Sequence, residues 1–531
     1  MRKANYTAIV LAMSLLIFWA GHSPALGAEY DTRQEVIDLI KAYYPHPVDD
    51  AVFARPSARM VVEGLNDPHS EYMSMDELNL FMGDLDGSFC GIGVVIEMLT
   101  QGMLITDTIP DSPAQSAGLQ AGDVITAVND RLLAGLSEEE ARILLQGRAG
   151  SRVKITVMRD AQQLVMFLKR ADLAVPSVLA RQLDDGVAYL AVMAFGINTA
   201  EEMGQYIRRL DAVSDQWIVD LRGNSGGYIM SAAEIAGYFL NVGNLVILQQ
   251  KEDRVHLPVM PQSSFINEPV IFLTDEYSAS AAELLAAAVK DYRRALLLGE
   301  TTYGKGTMQE IFVLQNGDVL KLTVAQFYSP FGKKINQLGV QPDLQILSQE
   351  AVEAARLLLS KPRGGSSLAR IEAGGQKYLV DLELAREQKH WQSWAGLTAA
   401  VNSFTVDSAL TSQMHTISLS AQDIARRWPV YYPDYGFLGE FHHLPQAGPL
   451  YLSLDGLDDY LPENAAALEL IDSRSGQRVA FDLHRQGTLF CLEPIDEMPG
   501  SEYWLVWHGL PEPTGQRVPS RPGIAILHYT H

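Results

Sequence analysis

The sequence predicts a multidomain α+β protein built around an α/β core, and three observations carry that expectation. At about 100 to 200 residues per domain, a chain of 531 residues has room for three or four domains, each able to bury a core. Between residues 173 and 347 short apolar runs alternate with helical patterns, which argues for parallel strands joined by helical crossovers. The flanks depart from that alternation: helical periodicity stands alone before residue 82, and β-rich runs fill 85–172 and 428–531. With 20% charged and 47% hydrophobic residues, long intrinsic disorder is excluded. A formal charge of -23 argues against a general nucleic-acid binder, because an overall negative field repels phosphate.

In chain order, residues 1–28 read as a secretory signal peptide: Arg2 and Lys3, then an apolar stretch over 8–20, then small residues at Ala25 and Gly27. The stretch is shorter than the roughly 20 residues that span a bilayer, so cleavage after Gly27 or Ala28 is expected. The alternative is an uncleaved anchor; either way the protein is expected outside the cytoplasm, in a periplasm or at the cell exterior. Residues 29–84 form a helical segment, with Val36, Ile37, Leu39 and Ile40 on one face and Asn66-Asp-Pro-His-Ser70 as punctuation. Residues 85–172 hold five expected strands and one helix over 137–145.

Residues 173–348 make up the α/β core. Strands are expected at 187–195, 217–221, 269–274 and 295–299, and helices at 199–210, 230–240 and 280–289. Thr199 with Glu202 three residues on reads as a capping box. Asn316-Gly317 closes a hairpin. Residues 349–427 read as a mainly helical linker region and 428–531 as a β-rich sandwich-like extension. Cys90 and Cys491 read as free buried thiols, since neither belongs to a CxxC. His442-His443 is the only histidine doublet; without a third ligand nearby it reads as surface or packing rather than a metal site.

Three features of the core belong together chemically. The segment Asp275-Glu-Tyr-Ser-Ala-Ser-Ala-Ala-Glu283 places a serine where a strand ends and a helix begins, so that the first helical N–H groups can stabilise an oxyanion. A serine there is also a plain N-cap, and the residues alone do not choose between Ser278 and Ser280. Lys305, flanked by Gly304 and Gly306 after an apolar strand, can be desolvated and so become a general base without any histidine. A phosphate-binding loop is the competing reading, and the Walker spacing is absent. Asp220-Leu-Arg-Gly-Asn-Ser-Gly-Gly227 follows another strand, and its paired glycines allow close backbone approach to a ligand.

Together with Gly91-Ile-Gly-Val94, Ser112-Pro-Ala114, Ala117-Gly-Leu-Gln-Ala-Gly-Asp123 and Gly339-Val-Gln-Pro-Asp343, these motifs stand in one family's order. The chain resembles the carboxyl-terminal processing peptidases, tail-specific serine proteases that carry an inserted PDZ domain, over roughly residues 35–347. The resemblance implies a crotonase-like core at 173–348 and a PDZ domain at 85–172. It makes Ser280 the nucleophile, Lys305 the general base and Gln309 the residue that orients the lysine. The oxyanion hole would be the N–H groups of Gly226 and Ala281. Gly91, Ile92, Gly93 and Val94 would hold a substrate's terminal carboxylate while the peptide adds as a strand. Ser225 stands where the family carries Pro or Gly, and Gln146 where relatives commonly carry Arg.

Around 488–494, 500–506 and 515–518 the chain is similar to bacterial Ig-like modules, implying an accessory domain with contact to the cell envelope; a packing extension of the protease is the alternative. The expected activity is serine endopeptidase, its partners proteins or peptides with a free C-terminus. No cofactor, metal or nucleic acid is called for. Some relatives dimerise through the segment equivalent to 31–82, so a homodimer is a further expectation. An inactive PDZ scaffold and a non-hydrolytic crotonase-like enzyme are the rivals; retention of Ser280, Lys305 and Gln309 together argues against the first, and a nucleophile–lysine spacing that suits acyl-enzyme chemistry argues against the second.

Overall fold

The computed structural model describes residues 31–530 apart from short stretches, the longest being 409–414, 453–467 and 509–521; the expected leader 1–28 lies outside the described residues. Its centre is a six-stranded sheet in the order Val178–Gln182, Ala188–Val192, Trp217–Asp220, Val270–Thr274, Leu296–Gly299, Leu344–Gln345. The last five strands run parallel and the first is an antiparallel edge. Trp217–Asp220 and Val270–Thr274 are buried at every residue, as strands covered on both faces must be.

Side chains alternate between two separate cores. Trp217, Val219, Phe272 and Leu297 face one, with the helices Thr199–Leu210, Ile229–Ala236 and Ala281–Asp291. A five-stranded antiparallel sheet completes this side, formed by Glu71–Met73, Val319–Tyr328, Asn244–Gln250, Arg254–Pro258 and Thr307–Val313. Ile218, Ile271, Leu273, Leu296 and Leu298 face the second core. The helices Thr32–Tyr43 and Ala58–Glu63 pack through Val36, Ile40, Val61 and Val62 against Phe312, Leu314 and Leu320 of the hairpin. Each is started by a side-chain cap, Asp31 accepting from Arg33 and Gln34 N–H and Ser57 from Met60 N–H.

The five strands expected in the second segment are Val94–Leu99, Gly102–Thr108, Val124–Val128, Arg152–Arg159 and Gln162–Lys169, joined by the helix Glu138–Leu145. Val94–Leu99 is an edge strand of this sheet, paired among the described residues with Gly102–Thr108 alone.

Between residues 349 and 427 the chain departs from expectation. Where a mainly helical linker was expected, a four-stranded antiparallel sheet lies in the order Gln376–Asp381, Leu368–Ala373, Phe404–Ser408, His415–Leu419, beside the helices Ala351–Leu359 and Gln388–Ala400. Leu368–Ala373 buries every second residue, and its hairpin turns on Gly374 and Gly375, both at positive φ, 58° and 77°. Two further sheets follow. One has the order Gly436–Pro445, Gly523–Thr530, Glu502–Trp507, Leu468–Asp472, Arg478–Val479, and the other Leu450–Leu452, Leu489–Pro494, Phe481–Gln486. Cys491 is a buried free thiol, as expected; the Cys90 side chain lies outside those described. Among the described residues no helix is long and apolar enough to cross a membrane.

Candidate active site

The strand Val270–Thr274 ends in a turn whose polar groups are almost all committed. Asp275 Oδ1 accepts from the N–H groups of Gly223, Tyr277 and Ser278. Ser278 is fully buried; its hydroxyl accepts from Asp275 N–H at 3.0 Å and lies 2.8 Å from the carbonyl of Leu221, to which it donates. This serine is structural mortar between two loops. Ser280, two residues on, is 9% exposed and sits at φ 54°, ψ -118°, a conformation that non-glycine residues rarely adopt. It stands immediately before the buried helix Ala281–Asp291, and among the described residues nothing accepts from the N–H of Ala281. The geometry thus separates two serines that the sequence left equivalent.

Glu283 organises what surrounds Ser280. Its side chain is fully buried, and Oε2 accepts from Ser280 N–H at 2.8 Å and Lys305 N–H at 2.9 Å. Oε1 accepts from Gly304 N–H at 2.7 Å and from the Thr302 hydroxyl at 2.5 Å. One carboxylate therefore clamps the serine turn to the lysine loop. Burial pushes its pKa up against the pull of these four donors. Sequence reading gave Glu283 no role, although a Ser with Glu three residues on at a helix start was there to be noticed.

Lys305 is held below its ordinary pKa chiefly by burial and secondly by the positive charge of Lys321; Glu283 and Asp67 act in the opposite direction. The Asn66–Ser70 turn reaches the same place: Thr323 N–H donates to the Ser70 hydroxyl, which donates to Asp67. Burial, then the charge of Lys305, depresses the pKa of His69. Gln309 lies on Thr307–Val313 with its amide nitrogen on the hydroxyls of Thr307 and Thr323. None of its described hydrogen bonds reaches Lys305, so the expected orienting contact is not among them.

The glycine turn at Gly226 abuts the serine: a Cβ there would lie 2.7 Å from Ser280 Cβ and 3.0 Å from Ala281 N. Its φ of 107° also demands glycine. However, Gly226 N–H donates to Asn224 Oδ1 at 2.8 Å, and the fully buried Asn224 is held from its other end by a 2.7 Å bond to the Val192 carbonyl. The N–H expected to help form an oxyanion hole is thus occupied in this conformation. Ala281 is the free donor beside Ser280.

In the second segment the carbonyls of Ile92 and Gly93 accept from Ala114 and Ile109 N–H, at 2.7 and 3.0 Å. Among the described residues nothing accepts from the N–H groups of Ile92 and Gly93. They stand at the head of the edge strand that begins at Val94, with Gly91 ending the strand before it.

Residues 186–346 match peptidase family S41 and residues 90–168 match the PDZ domain. Carboxy-terminal processing protease CtpB of Bacillus subtilis is 30% identical over 342 residues, 62% of this chain and 71% of that one. Carboxy-terminal processing protease CtpA of the same organism is 29% identical over 347 residues, 63% and 74% of the two chains. A solved photosystem II D1 C-terminal processing protease aligns with 61% of this chain and 94% of its own, at 24% identity and a TM-score of 0.41. On its matched domains and its relatives, the chain belongs to the carboxy-terminal processing proteases of family S41 and is a serine-type peptidase.

Proposed function

We propose that the protein is an extracytoplasmic endopeptidase that cleaves protein substrates recognised by their C-terminal tails, through a Ser280–Lys305 dyad. The observation that carries this reading is the Glu283 clamp, one oxygen shared by the N–H groups of Ser280 and Lys305. It fixes the backbones of a nearly buried, strained serine and a desolvated lysine to each other, as a nucleophile and base require. Neutral Lys305 removes the hydroxyl proton of Ser280 as Oγ adds to the scissile carbonyl. Ala281 N–H, reinforced by the helix dipole, receives the oxyanion. The lysine returns its proton to the leaving amine, then deprotonates the water that hydrolyses the acyl-enzyme. Gly226 joins the oxyanion hole when its N–H is released from Asn224.

Tail recognition is read from the Gly91–Val94 loop, where the open N–H groups of Ile92 and Gly93 suit a carboxylate and the unpaired edge of Val94–Leu99 suits an added strand. The core at 173–348 is read as crotonase-like, and residues 428–531 as an Ig-like sandwich. Export rests on the leader at 1–28.

Incubating an unfolded protein with wild type, Ser280→Ala and Lys305→Ala tests the dyad. Each variant should lose on the order of 10⁴- to 10⁶-fold in turnover while folding normally. Cleavage by Ser280→Ala at the wild-type rate would overturn the mechanism. Amidating the substrate's C-terminus should slow wild type; an unchanged rate would remove tail recognition and leave the chemistry standing.

A further inference from the structure

We infer that Glu440, His442 and His528 form a binding site for a divalent transition-metal ion of the zinc class. Two strands from opposite ends of the C-terminal region build it. Gly436–Pro445 and Gly523–Thr530 pair in parallel, with Glu440 opposite Ile526 and Phe441 opposite Leu527, and the register breaks between Phe441 and Leu444. That bulge contains the histidine doublet, with His443 at φ 59°. It leaves the His442 ring stacked parallel to that of His528, centroids 4.5 Å apart and planes 7° apart, so the exposed His442 ring must rotate about χ2 for both Nε2 lone pairs to meet on one ion. His528 Nε2 lies 2.7 Å from Glu440 Oε1, and His442 Nε2 lies 3.6 Å from the same oxygen. The ligand atoms of all three residues fall within 4.8 Å of one another. The sequence showed the doublet but not its third donor, which arrives from the last strand of the chain.

The donor chemistry selects the ion. Two imidazole nitrogens and one carboxylate oxygen suit zinc, whereas calcium and magnesium require oxygen shells. Tetrahedral zinc with bonds of about 2.0–2.2 Å needs ligand atoms roughly 3.3 Å apart, within about 1 Å of the separations from Glu440. The fourth position is open to water, since Glu440 and His442 are exposed. Behind His528, Glu502 Oε2 lies 3.9 Å from Nδ1, and its other oxygen is held by Trp504 Nε1 at 3.1 Å. At 3.9 Å, beyond a hydrogen bond, Glu502 acts on His528 only as a nearby negative charge. The ion would staple the first strand of this sheet to the last one and stabilise the folded state in proportion to its affinity.

The test is calorimetric titration of zinc chloride into the untagged, chelator-treated full chain, alongside thermal melts. One zinc ion per chain is expected, with a rise in Tm that magnesium and calcium do not reproduce. His442→Ala and His528→Ala should each lose at least about 100-fold in affinity and the Tm rise with it. Glu440→Gln, which preserves side-chain shape, should weaken binding, whereas His443→Ala should bind as wild type. Wild-type affinity in both His442→Ala and His528→Ala would overturn the site. Equal losses in His443→Ala and His442→Ala would do the same, since they would mark simple surface-histidine binding.

Discussion

In the proposed dyad Lys305 acts as a base only when neutral, so its surroundings would set the pH at which the enzyme turns on. Burial contributes most to its lowered pKa and Lys321 comes second, while Asp67 and Glu283 pull the other way. For a base that must lose its proton, kcat/KM rises with pH through that pKa. Lys321→Met removes a repelling positive charge, stabilises the ammonium and moves the rising limb to higher pH. Asp67→Asn removes an attracting negative charge and moves it to lower pH. A pH–rate series on the two variants checks the pair: shifts in the same direction, or none, would show that Lys305 is not the titrating base. The desolvation of Lys305 was legible in the sequence from its flanking glycines and the preceding apolar strand. Its charged neighbours were not, because Asp67 and Lys321 lie far away in sequence. The choice between Ser278 and Ser280 was also invisible, since it depends on hydroxyl partners supplied by Leu221 and Asp275.

At the scale of the element, the helix Ala281–Asp291 presents Ser280 at its N-terminal end and anchors the lysine loop through Glu283. Glu283→Gln replaces one acceptor oxygen with an amide NH2 that cannot accept from the N–H groups it would face. The loop should then shift relative to the serine, and a misplacement of about 1 Å can cost about 100-fold in rate. The expected outcome is a fall of about that size in kcat with KM little changed, because the PDZ segment is untouched. A rise in KM alone would make Glu283 a binding residue instead. Elements whose signals are local were readable: four of the five parallel strands, their crossover helices and the Asn316-Gly317 hairpin stand where the pattern put them, while the two-residue strand Leu344–Gln345 was too short to show. Failures came where distant partners or short turns decide. The Thr199–Glu202 capping box does not form, because Glu202 Oε2 accepts from Ser177 N–H and hydroxyl instead. The hairpin Asn244–Gln250 to Arg254–Pro258 turns on Lys251-Glu252-Asp253, which contains neither glycine nor proline to announce it. The sheet at 368–419 was missed although Leu368–Ala373 alternates with a strand's period, because the helices Ala351–Leu359 and Gln388–Ala400 on either side dominated the pattern of the whole stretch.

At the scale of the molecule, the extension beyond 348 shares a core with the protease. Ile218, Ile271 and Leu298 of the central sheet belong to one continuous apolar cluster with Trp391, Trp394, Tyr431, Trp504 and Ile524. Trp391 is the link: fully buried, it stacks on Tyr431 at 3.9 Å, lies 5.5 Å from Trp504 and donates its indole N–H to the Ser473 carbonyl at 3.0 Å. The terminal sheets also keep a core of their own around Leu470, Leu492, Leu505 and Leu527, but a merely tethered domain would leave that face of the protease sheet to solvent, so the packing argues that the two parts stabilise each other. Trp391→Ala opens a large cavity and orphans a carbonyl, which should cost about 3 to 5 kcal/mol. If the core is shared, calorimetry should show one transition moved to lower temperature, and thermal loss of peptidase activity should move with it. Two transitions, with only the one unrelated to activity shifted, would mean that the extension folds alone and the shared cluster contributes nothing to the protease.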